Sequence, residues 1–541
     1  MRDRLAWLLP CVGLGLLLAV FLYRILAAQT RLPLPPGPQA LPFVGNVMDM
    51  VKADGWDTYH KWATEHGDVV YVMVMGQPVV LLNSHETATD LLVKRSAIYS
   101  DRPAFTMASK VGGNEKIMAV AQYHRPLKTM RRWFSLVMGT RTSDHFWALQ
   151  DQMIKGFIKN VYRDILNGDS DGTNLQTRIR WSAAATTLRI AYGYSATLED
   201  DPILKQVNPA VRDFLEACKP GWLVNVIPAL RHLPTWFPGA SFLKIGKQWK
   251  NRLESLAQDP VDFVKEQMMN GVAPLSFTRE LLEEHGQKMT IEEELDIKWA
   301  AFALFSGGTD TVSSTVYAFY LAMTLHPEIQ RRAQAELDRV LAGRRLPNLH
   351  DRQAGALPYI DALVKELTRW APVLPAGIPH VLRQEDEYRG WRIPKGTYVI
   401  ANLWTISRDE TIYPNPIEFR PERFLTKEHG GDCATQDDIP MDPSKINFGY
   451  GKRGCPGRHL AELGVWLSVA MSLAVYNINV IDGHIPSSTN YERSSISRPR
   501  PFKCHITIRS QQAEELIRAI PDDDATAWVQ PYAKKDSSAF D

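Results

Sequence analysis

The stretch that decides the fold lies near the C-terminal end of the chain and reads Phe448-Gly449-Tyr450-Gly451-Lys452-Arg453-Gly454-Cys455-Pro456-Gly457. One cysteine is framed by glycines, which allow a tight turn and bring backbone N–H groups close to the sulfur. An apolar, helix-forming run follows from Leu460 to Val469, so the positive end of a helix dipole favours a thiolate. The pattern is typical of a loop that delivers a thiolate to a metal. Its alternative is a glycine-rich turn around a buried structural cysteine.

A second pattern predicts one long helix from Glu292 to Leu325. Thr290-x-x-Glu293 forms a capping box at its start, and His326-Pro327 ends it.

The middle of this helix contains the adjacent glycines Gly307 and Gly308, each of which costs about 1 kcal/mol relative to alanine. Close approach of a flat ligand, or a local opening of the hydrogen-bond ladder, would account for them. Packing of another helix is the alternative. Asp310 and Thr311 follow directly and supply a carboxylate and a hydroxyl, which are suited to proton delivery.

Composition places the chain among ordinary globular proteins. Its 541 residues are 45% hydrophobic and 23% charged, with a net charge of +2, so nothing indicates a nucleic-acid partner. Five cysteines without paired spacing argue for a reducing compartment. Because the motifs spread along the chain without a linker, we predict one large domain at residues 39–520 and a polar tail at 521–541.

The N-terminus carries an uncharged, apolar stretch from Leu5 to Tyr23, close to the ~20 residues that a transmembrane helix needs. We predict a membrane anchor at residues 1–31, and a cleaved signal peptide is the alternative. The proline-rich residues 32–38 cannot be helical and predict a stiff hinge between anchor and body.

The cysteine loop resembles the haem-binding loop of the cytochrome P-450 family. The resemblance implies a mainly α fold, with a large helical domain, small β-sheets and an N-terminal transmembrane helix, and haem b as cofactor. Cys455 would be the proximal iron ligand. Arg453 would pair with a haem propionate, Phe448 would shield the sulfur, and Gly457 would complete the cofactor-binding loop.

The glycine-containing stretch of the long helix is similar to the oxygen-activating motif of the same family. The resemblance implies that Thr311 and Asp310 are the catalytic residues that deliver protons during oxygen activation. Val312 departs from the family pattern, which usually has a hydroxyl residue there.

Three further positions would address the haem propionates by resemblance. The family commonly has Trp-Arg-x-x-Arg where this chain has Leu127, Lys128 and Arg131; the tryptophan is absent, but Lys128 and Arg131 still supply charge. His380 lies where fungal members place a propionate contact, and a histidine in a capped turn is the alternative.

Glu366 and Arg369 lie one helical turn apart, among apolar neighbours. The resemblance implies that they form a buried structural triad with Arg423 behind the haem, whereas an isolated pair would be a solvated surface bridge.

The resemblance implies a haem-thiolate monooxygenase that inserts one oxygen atom from O2 into an apolar small molecule, in fungal secondary-metabolite biosynthesis. Its partners would be NADPH-cytochrome P-450 reductase and membrane lipid, with the catalytic domain on the cytosolic side of the endoplasmic reticulum membrane. Residues 106–120, 302–305, 373–378 and 497–502 would line the substrate pocket, and residues 220–242 either dip into the bilayer or form an ordinary core helix pair. The alternatives are an isomerase or dehydratase that needs no O2, and a haem-based sensor.

Overall fold

The computed structural model describes residues 32–42, 44–52, 55–137, 144–219, 221–492 and 494–521 of the chain. The predicted transmembrane stretch at residues 5–23 lies outside these ranges, as does nearly all of the predicted polar tail. Within the described ranges, no helix combines the length and the apolar character that a bilayer span requires.

α-Helices dominate the secondary structure, as predicted. In chain order they are α1 (Val47–Lys52), α2 (Trp56–His66), α3 (His85–Ala88), α4 (Arg125–Val137), α5 (Asp144–Leu166), α6 (Leu175–Tyr192), α7 (Leu204–Cys218), α8 (Leu223–Val226), α9 (Ser241–Met269), α10 (Phe277–His285), α11 (Ile291–Leu325), α12 (Pro327–Leu341), α13 (Leu349–Gln353), α14 (Pro358–Trp370), α15 (Leu403–Ile406), α16 (Ser444–Asn447), α17 (Arg458–Val475) and α18 (Gln511–Arg518).

The β-sheets are small. The strands are β1 (Val69–Val74), β2 (Gln77–Leu82), β3 (His380–Val381), β4 (Asp386–Tyr388), β5 (Trp391–Ile393), β6 (Tyr398–Ala401), β7 (Tyr476–Asn479), β8 (Tyr491–Glu492), β9 (Arg498–Pro499) and β10 (His505–Ile508). The largest sheet has the strand order β1-β2-β6-β3, in which only the β2–β6 pair is parallel. The pairs β4–β5, β7–β10 and β8–β9 are antiparallel.

The central helix α11 begins within one residue of its predicted start and ends at the predicted residue. The side chain of Thr290 accepts the N–H of Glu293 at 3.2 Å, and the Glu293 carboxylate accepts the N–H of Thr290 at 2.9 Å. The capping box is therefore formed, and it satisfies two of the N–H groups that a helix start leaves unpaired.

Two hydrophobic clusters hold the central helix. One contains its first half, from Ile297 to Phe305, together with parts of α4, α6, α9 and α10. The other contains its second half, from Val316 to Met323, with α5, α12, α14 and α17. The Gly307-Gly308 stretch lies between the two clusters, so the core is interrupted where the helix passes the cysteine loop.

Candidate functional site

A cavity of about 380 Å³ lies between the central helix and the loop that precedes α17. Gly307 and Thr311 line it from the helix, and Phe448, Cys455 and Gly457 line it from the loop. The two sequence motifs, far apart in the chain, therefore face one space.

Close packing and backbone hydrogen bonds fix the cysteine loop. Gly451 has a φ of +57°, and a Cβ there would lie 2.1 Å from the carbonyl oxygen of Leu92, so only glycine allows the loop to dock. The backbone N–H of Cys455 donates to the carbonyl of Phe448 at 2.7 Å. Gly457 is the N-cap of α17, which places Cys455 just before the first turn of that helix.

Cys455 is exposed, because its surface opens onto the cavity, yet the protein atoms around the thiol shield it from bulk water. Burial raises its pKa, while the N–H of Gly457 and the guanidinium of Arg131 oppose that increase. Burial thus outweighs the helix-start effect that the sequence indicated. A metal ion reverses the balance, because a coordinated thiol is deprotonated.

Phe448 is half-buried beside the cysteine, and the guanidinium carbon of Arg458 lies 5.8 Å from the centre of its ring. Apart from its chain neighbours, no residue in the described part of the chain has an atom within 4 Å of where a Cβ on Gly457 would be. The loop therefore leaves open space at this glycine, next to the sulfur.

Three guanidinium groups, those of Arg102, Arg131 and Arg453, line the cavity. Nη2 of Arg131 donates to the carbonyl of Gly454 at 2.8 Å, and Nε of Arg453 donates to the carbonyl of Ser100 at 2.7 Å. Burial lowers the pKa of all three groups, and repulsion among them adds to the effect at Arg102 and Arg453, where the pKa of Arg453 falls to about 10. Within the described part of the chain, none of the three forms an ion pair with a carboxylate.

Arg102 was not singled out by the sequence analysis. It lies in a segment without regular periodicity, just before Pro103, and a lone arginine in a loop gives no signal of its own. Only the fold shows that it is 5% exposed and lies on the cavity.

His380 lines the same cavity and is buried. Its Nδ1 lies 2.7 Å from the carbonyl oxygen of Tyr99, which can only accept, so Nδ1 carries the proton. Burial, and then the nearby charges of Arg102 and Arg453, hold the pKa of His380 well below its usual value. The neutral ring has no second N–H, so His380 must take up a proton before it can donate to a propionate.

Lys128 is placed differently from the other predicted propionate contacts. It is exposed, its Nζ lies 5.1 Å from the ring centre of Tyr123, and it does not line the cavity. The structure therefore brings Arg131, His380 and Arg453 together on the cavity and leaves Lys128 outside.

Gly307 and Gly308 have different surroundings on one continuous α-helix. Outside the backbone of its own helix and its chain neighbours, no described residue has an atom within 4 Å of a Cβ built on Gly307, which faces the cavity. A Cβ on Gly308 would lie 2.6 Å from Cγ2 of Thr187 on α6. Open space on the cavity side thus accounts for Gly307, and packing against α6 accounts for Gly308. The hydroxyl of Thr311 donates to the carbonyl of Gly307 at 2.7 Å, and the helix shows no local opening here.

Asp310 is buried and does not line the cavity. Nη2 of Arg180 on α6 lies 3.0 Å from its Oδ1, which is ion-pair distance, although the angle does not make a hydrogen bond. Asp310 and Thr311 are thus neighbours in sequence whose side chains have different partners.

Glu366, Arg369 and Arg423 form one buried cluster. Nε and Nη2 of Arg369 donate to the two oxygens of Glu366 at 2.7 and 2.8 Å, and Nε of Arg423 lies 3.3 Å from the same carboxylate. The Glu366 and Arg369 side chains are fully buried. This geometry is that of a structural triad rather than of a solvated bridge.

Three of the four segments predicted to line the substrate pocket contribute to the cavity. Ile117, Met118 and Ala119 do so from the first, Ala303 and Leu304 from the second, and Val373, Leu374, Gly377 and Ile378 from the third. Phe302 and Phe305 instead pack into the core, and none of residues 497–502 lines the cavity.

The residues present fit a haem bound through its iron to Cys455. The buried guanidiniums of Arg102, Arg131 and Arg453 bring three positive charges, and only the more distant Asp101 carboxylate, which acts on Arg453, opposes them among the described residues. Buried charges need partners. A thiolate and two propionates would supply three negative charges. The open face at Gly307 leaves room for a flat ring system, so the site belongs to the class of haem-thiolate proteins.

Comparison with known proteins agrees with this class. The sequence matches the family model described as Cytochrome P450 over residues 35–506. It is 41% identical to cytochrome P450 monooxygenase 208 of Postia placenta, over 94% of this chain and 97% of that protein. It is 39% identical to cytochrome P450 monooxygenase claR of Ampulloclitocybe clavipes, over 91% of this chain and 90% of that protein. The chain therefore belongs to the cytochrome P450 family, whose cofactor is haem.

Proposed function

We propose that this protein is a haem-thiolate monooxygenase that inserts one oxygen atom from O2 into an apolar small molecule, with electrons supplied by NADPH-cytochrome P-450 reductase. The observation that carries the proposal is that Cys455 and Thr311 face the same cavity from opposite sides. The relatives from Postia placenta and Ampulloclitocybe clavipes are both named monooxygenases. Because relatives of this kind are fungal, we place the reaction in fungal secondary-metabolite biosynthesis.

The roles of the chain's own residues follow from their positions. When bound, haem would supply the iron at which O2 is activated, and Cys455 would hold that iron through its thiolate. Thr311 holds a hydroxyl on the cavity, where it can accept a proton and pass it on. Ile117, Ala303 and Val373 present apolar surface to the substrate, which favours an apolar molecule over a charged one.

Asp310 is the outer group of the proposed proton relay. Its carboxylate is buried beside Arg180, which is partly exposed, so this pair links solvent to the helix turn that carries Thr311. Proton transfer to the cavity requires the carboxylate to leave Arg180 or a water to bridge the gap.

Each of the two alternative functions leaves one feature of the site without a role. An isomerase or dehydratase acting on a peroxide needs no proton delivery to O2, and a sensor needs no substrate cavity. The hydroxyl of Thr311 on an apolar cavity therefore favours the monooxygenase.

We also propose that the protein is anchored in the endoplasmic reticulum membrane by residues 1–31, with the catalytic domain in the cytosol. An exposed apolar surface supports contact with lipid: Leu223 is 69% exposed, Val226 71% and Trp236 78%. Val224 is buried in a small cluster between them, so the segment combines core packing with an apolar outer face.

The test is turnover by the full-length protein with reductase in phospholipid vesicles, supplied with NADPH, 18O2 and a metabolite extract from cells that lack the gene. We expect a product that carries one 18O atom and depends on the reductase. Product formed from a hydroperoxide without reductase would favour the isomerase or dehydratase, and gas binding without any product would favour the sensor.

A further inference from the structure

A second cavity, of about 540 Å³, lies between α11, the first turn of α6 and the segment that follows β9. Tyr317 lines it from α11, Gln176 lines it from α6, and residues 499–503 line it from the third side. The sequence analysis expected residues 497–502 at the substrate cavity, and the structure places 499–502 at this second cavity instead. Its volume lies within the range of about 300–1,000 Å³ that is typical of small-molecule sites.

Tyr317 and Phe502 form an aromatic surface on this cavity. Their ring centres are 4.7 Å apart, and the backbone N–H of Phe502 donates to the hydroxyl oxygen of Tyr317 at 3.2 Å. Leu321, one turn further along α11, and Pro499 are buried and line the same cavity. The cavity therefore offers apolar surface against which the body of a small molecule can pack.

The hydroxyl of Tyr317 has a proton that no described residue accepts, because its hydrogen bond with Phe502 uses the oxygen as the acceptor. The side chain is only 3% exposed. Burial raises the pKa of Tyr317 to about 12, so the hydroxyl is protonated at neutral pH. Because a buried tyrosine O–H normally has a hydrogen-bond partner, a ligand in this cavity should carry an acceptor.

Arg500 brings a positive charge to the rim of the same cavity. Two cations close to it in sequence are already paired. Arg498 binds Glu492 at 2.6 Å, and Lys503 binds Asp171 at 2.5 Å. Among the residues that the structure describes, no carboxylate pairs with Arg500, and none of those that line the cavity is acidic. The guanidinium of Arg500 is therefore available to an anionic group.

We propose that the second cavity binds a small organic acid with an apolar body. Arg500 pairs with the carboxylate, Tyr317 donates its hydroxyl proton to an oxygen of the ligand, and Phe502 packs against the apolar body. An arginine–carboxylate pair is charge-assisted and stronger than a neutral hydrogen bond, so the charge selects the ligand. Among the described residues, none lines both this cavity and the one that contains Cys455, so the proposal does not rest on the monooxygenase reaction.

The test uses naphthalene-2-carboxylate as the probe and 2-naphthamide, which has the same ring system without the charge, as its neutral counterpart. Binding of each probe to the full-length, haem-loaded protein is measured by titration calorimetry, and hydrogen exchange locates the bound probe. Arg500→Gln removes the positive charge. Its matched control is Arg344→Gln, because Arg344 is also exposed and does not line this cavity.

We expect Arg344→Gln to bind the carboxylate as wild type does, and Arg500→Gln to bind it about 10- to 100-fold more weakly, as for a lost hydrogen bond to a charged group. The amide should bind more weakly than the carboxylate, and equally in these three proteins. Tyr317→Phe, which keeps the ring, should weaken binding of both probes, because each has an oxygen that can accept the hydroxyl proton. Binding should slow the exchange of residues 500–503 and leave that of residues 117–119, at the cavity that contains Cys455, unchanged.

The proposal would be overturned if wild type did not bind the carboxylate, if it bound both probes equally, or if Arg500→Gln bound the carboxylate as tightly as wild type. Slower exchange at residues 117–119 without a change at 500–503 would place the probe at the other cavity and would also overturn it. If Tyr317→Phe does not fold because Phe502 loses its acceptor, Arg500→Gln still decides, since that side chain is exposed. A failed search for an oxygenated product would leave these results unaffected.

Discussion

Replacing Arg369 with alanine is expected to remove most of the stable, haem-containing protein. The Arg369 side chain is fully buried and binds both oxygens of Glu366. After the change, the carboxylate keeps the N–H of Arg420 at 2.7 Å and the more distant Nε of Arg423 at 3.3 Å. The triad would lose its two shortest side-chain contacts.

The expected magnitude follows from burial. Breaking a buried ion pair costs about 3–5 kcal/mol, because the remaining charge is left without its partner. Arg369 also donates to the carbonyls of Ser407, Pro416 and Glu418, so further buried acceptors lose a donor. Native stability is typically about 5–15 kcal/mol, so a loss of this size is a large part of the whole.

The matched control is Lys61→Ala. Lys61 and Glu65 are also one helical turn apart, but their charged atoms are 3.7 Å apart and the side chains are 72% and 48% exposed. Such a pair contributes at most about 0.5 kcal/mol, so this variant should behave like wild type.

The assay measures holoprotein yield, haem content and thermal midpoint for both variants expressed side by side. We expect Arg369→Ala to give little holoprotein and any remainder to unfold at a much lower temperature. A yield, haem content and midpoint equal to those of Lys61→Ala would refute the reasoning, because the triad would then contribute no more than a surface bridge.

Further predictions concern the central helix and the anchor. Gly308→Ala should lower the thermal midpoint, because its Cβ would lie 2.6 Å from Thr187 and overpacking costs about 1–3 kcal/mol. Gly307→Ala should keep the wild-type midpoint and instead weaken substrate binding. A midpoint that falls equally in both variants would contradict this prediction. Thr311→Ala should retain haem but divert electrons from NADPH to hydrogen peroxide, and unchanged coupling of NADPH to product would remove this hydroxyl from proton delivery. Deletion through Ala28 should release much of the protein from membranes with its haem spectrum intact; a misfolded, haem-free product would assign the segment to the fold.

Elements with strong local signals were predictable from the sequence. The β-branched runs at Val69–Val74 and Tyr398–Ala401 indicate strands, and the structure has strands with these bounds. Ser84 and the residues after it, to about Lys94, have a pattern that indicates one capped helix. The helical segment has this extent, but only His85–Ala88 is α-helical and Thr89–Lys94 continues it as a π-helical turn. Local composition favours a helix there, and tertiary packing selects its form.

The strands β7, β8 and β9 were not predictable from the sequence. β8 and β9 have two residues each, and β7 follows α17 without a turn. Such segments are strands because a partner strand lies beside them, and the local sequence pattern carries no information about that partner.

The functional site also has parts that were predictable from the sequence and parts that were not. The cysteine loop and the Gly307–Thr311 stretch have fixed spacing, so their meeting at one cavity could be expected. The direction in which a side chain points from a helix or a loop could not be predicted. Asp310, which points toward Arg180, and Arg102, which lines the cavity, are two examples. Those directions depend on which element packs next to them.

The most direct test of the central claim is the spectrum of the reduced carbon monoxide complex of purified wild-type protein and of Cys455→Ala. Ligation by the thiolate predicts a red-shifted Soret band in wild type, with one haem bound per chain, and its loss in the variant. A variant that binds haem and gives the same spectrum as wild type would show that Cys455 is not the iron ligand and would contradict the account.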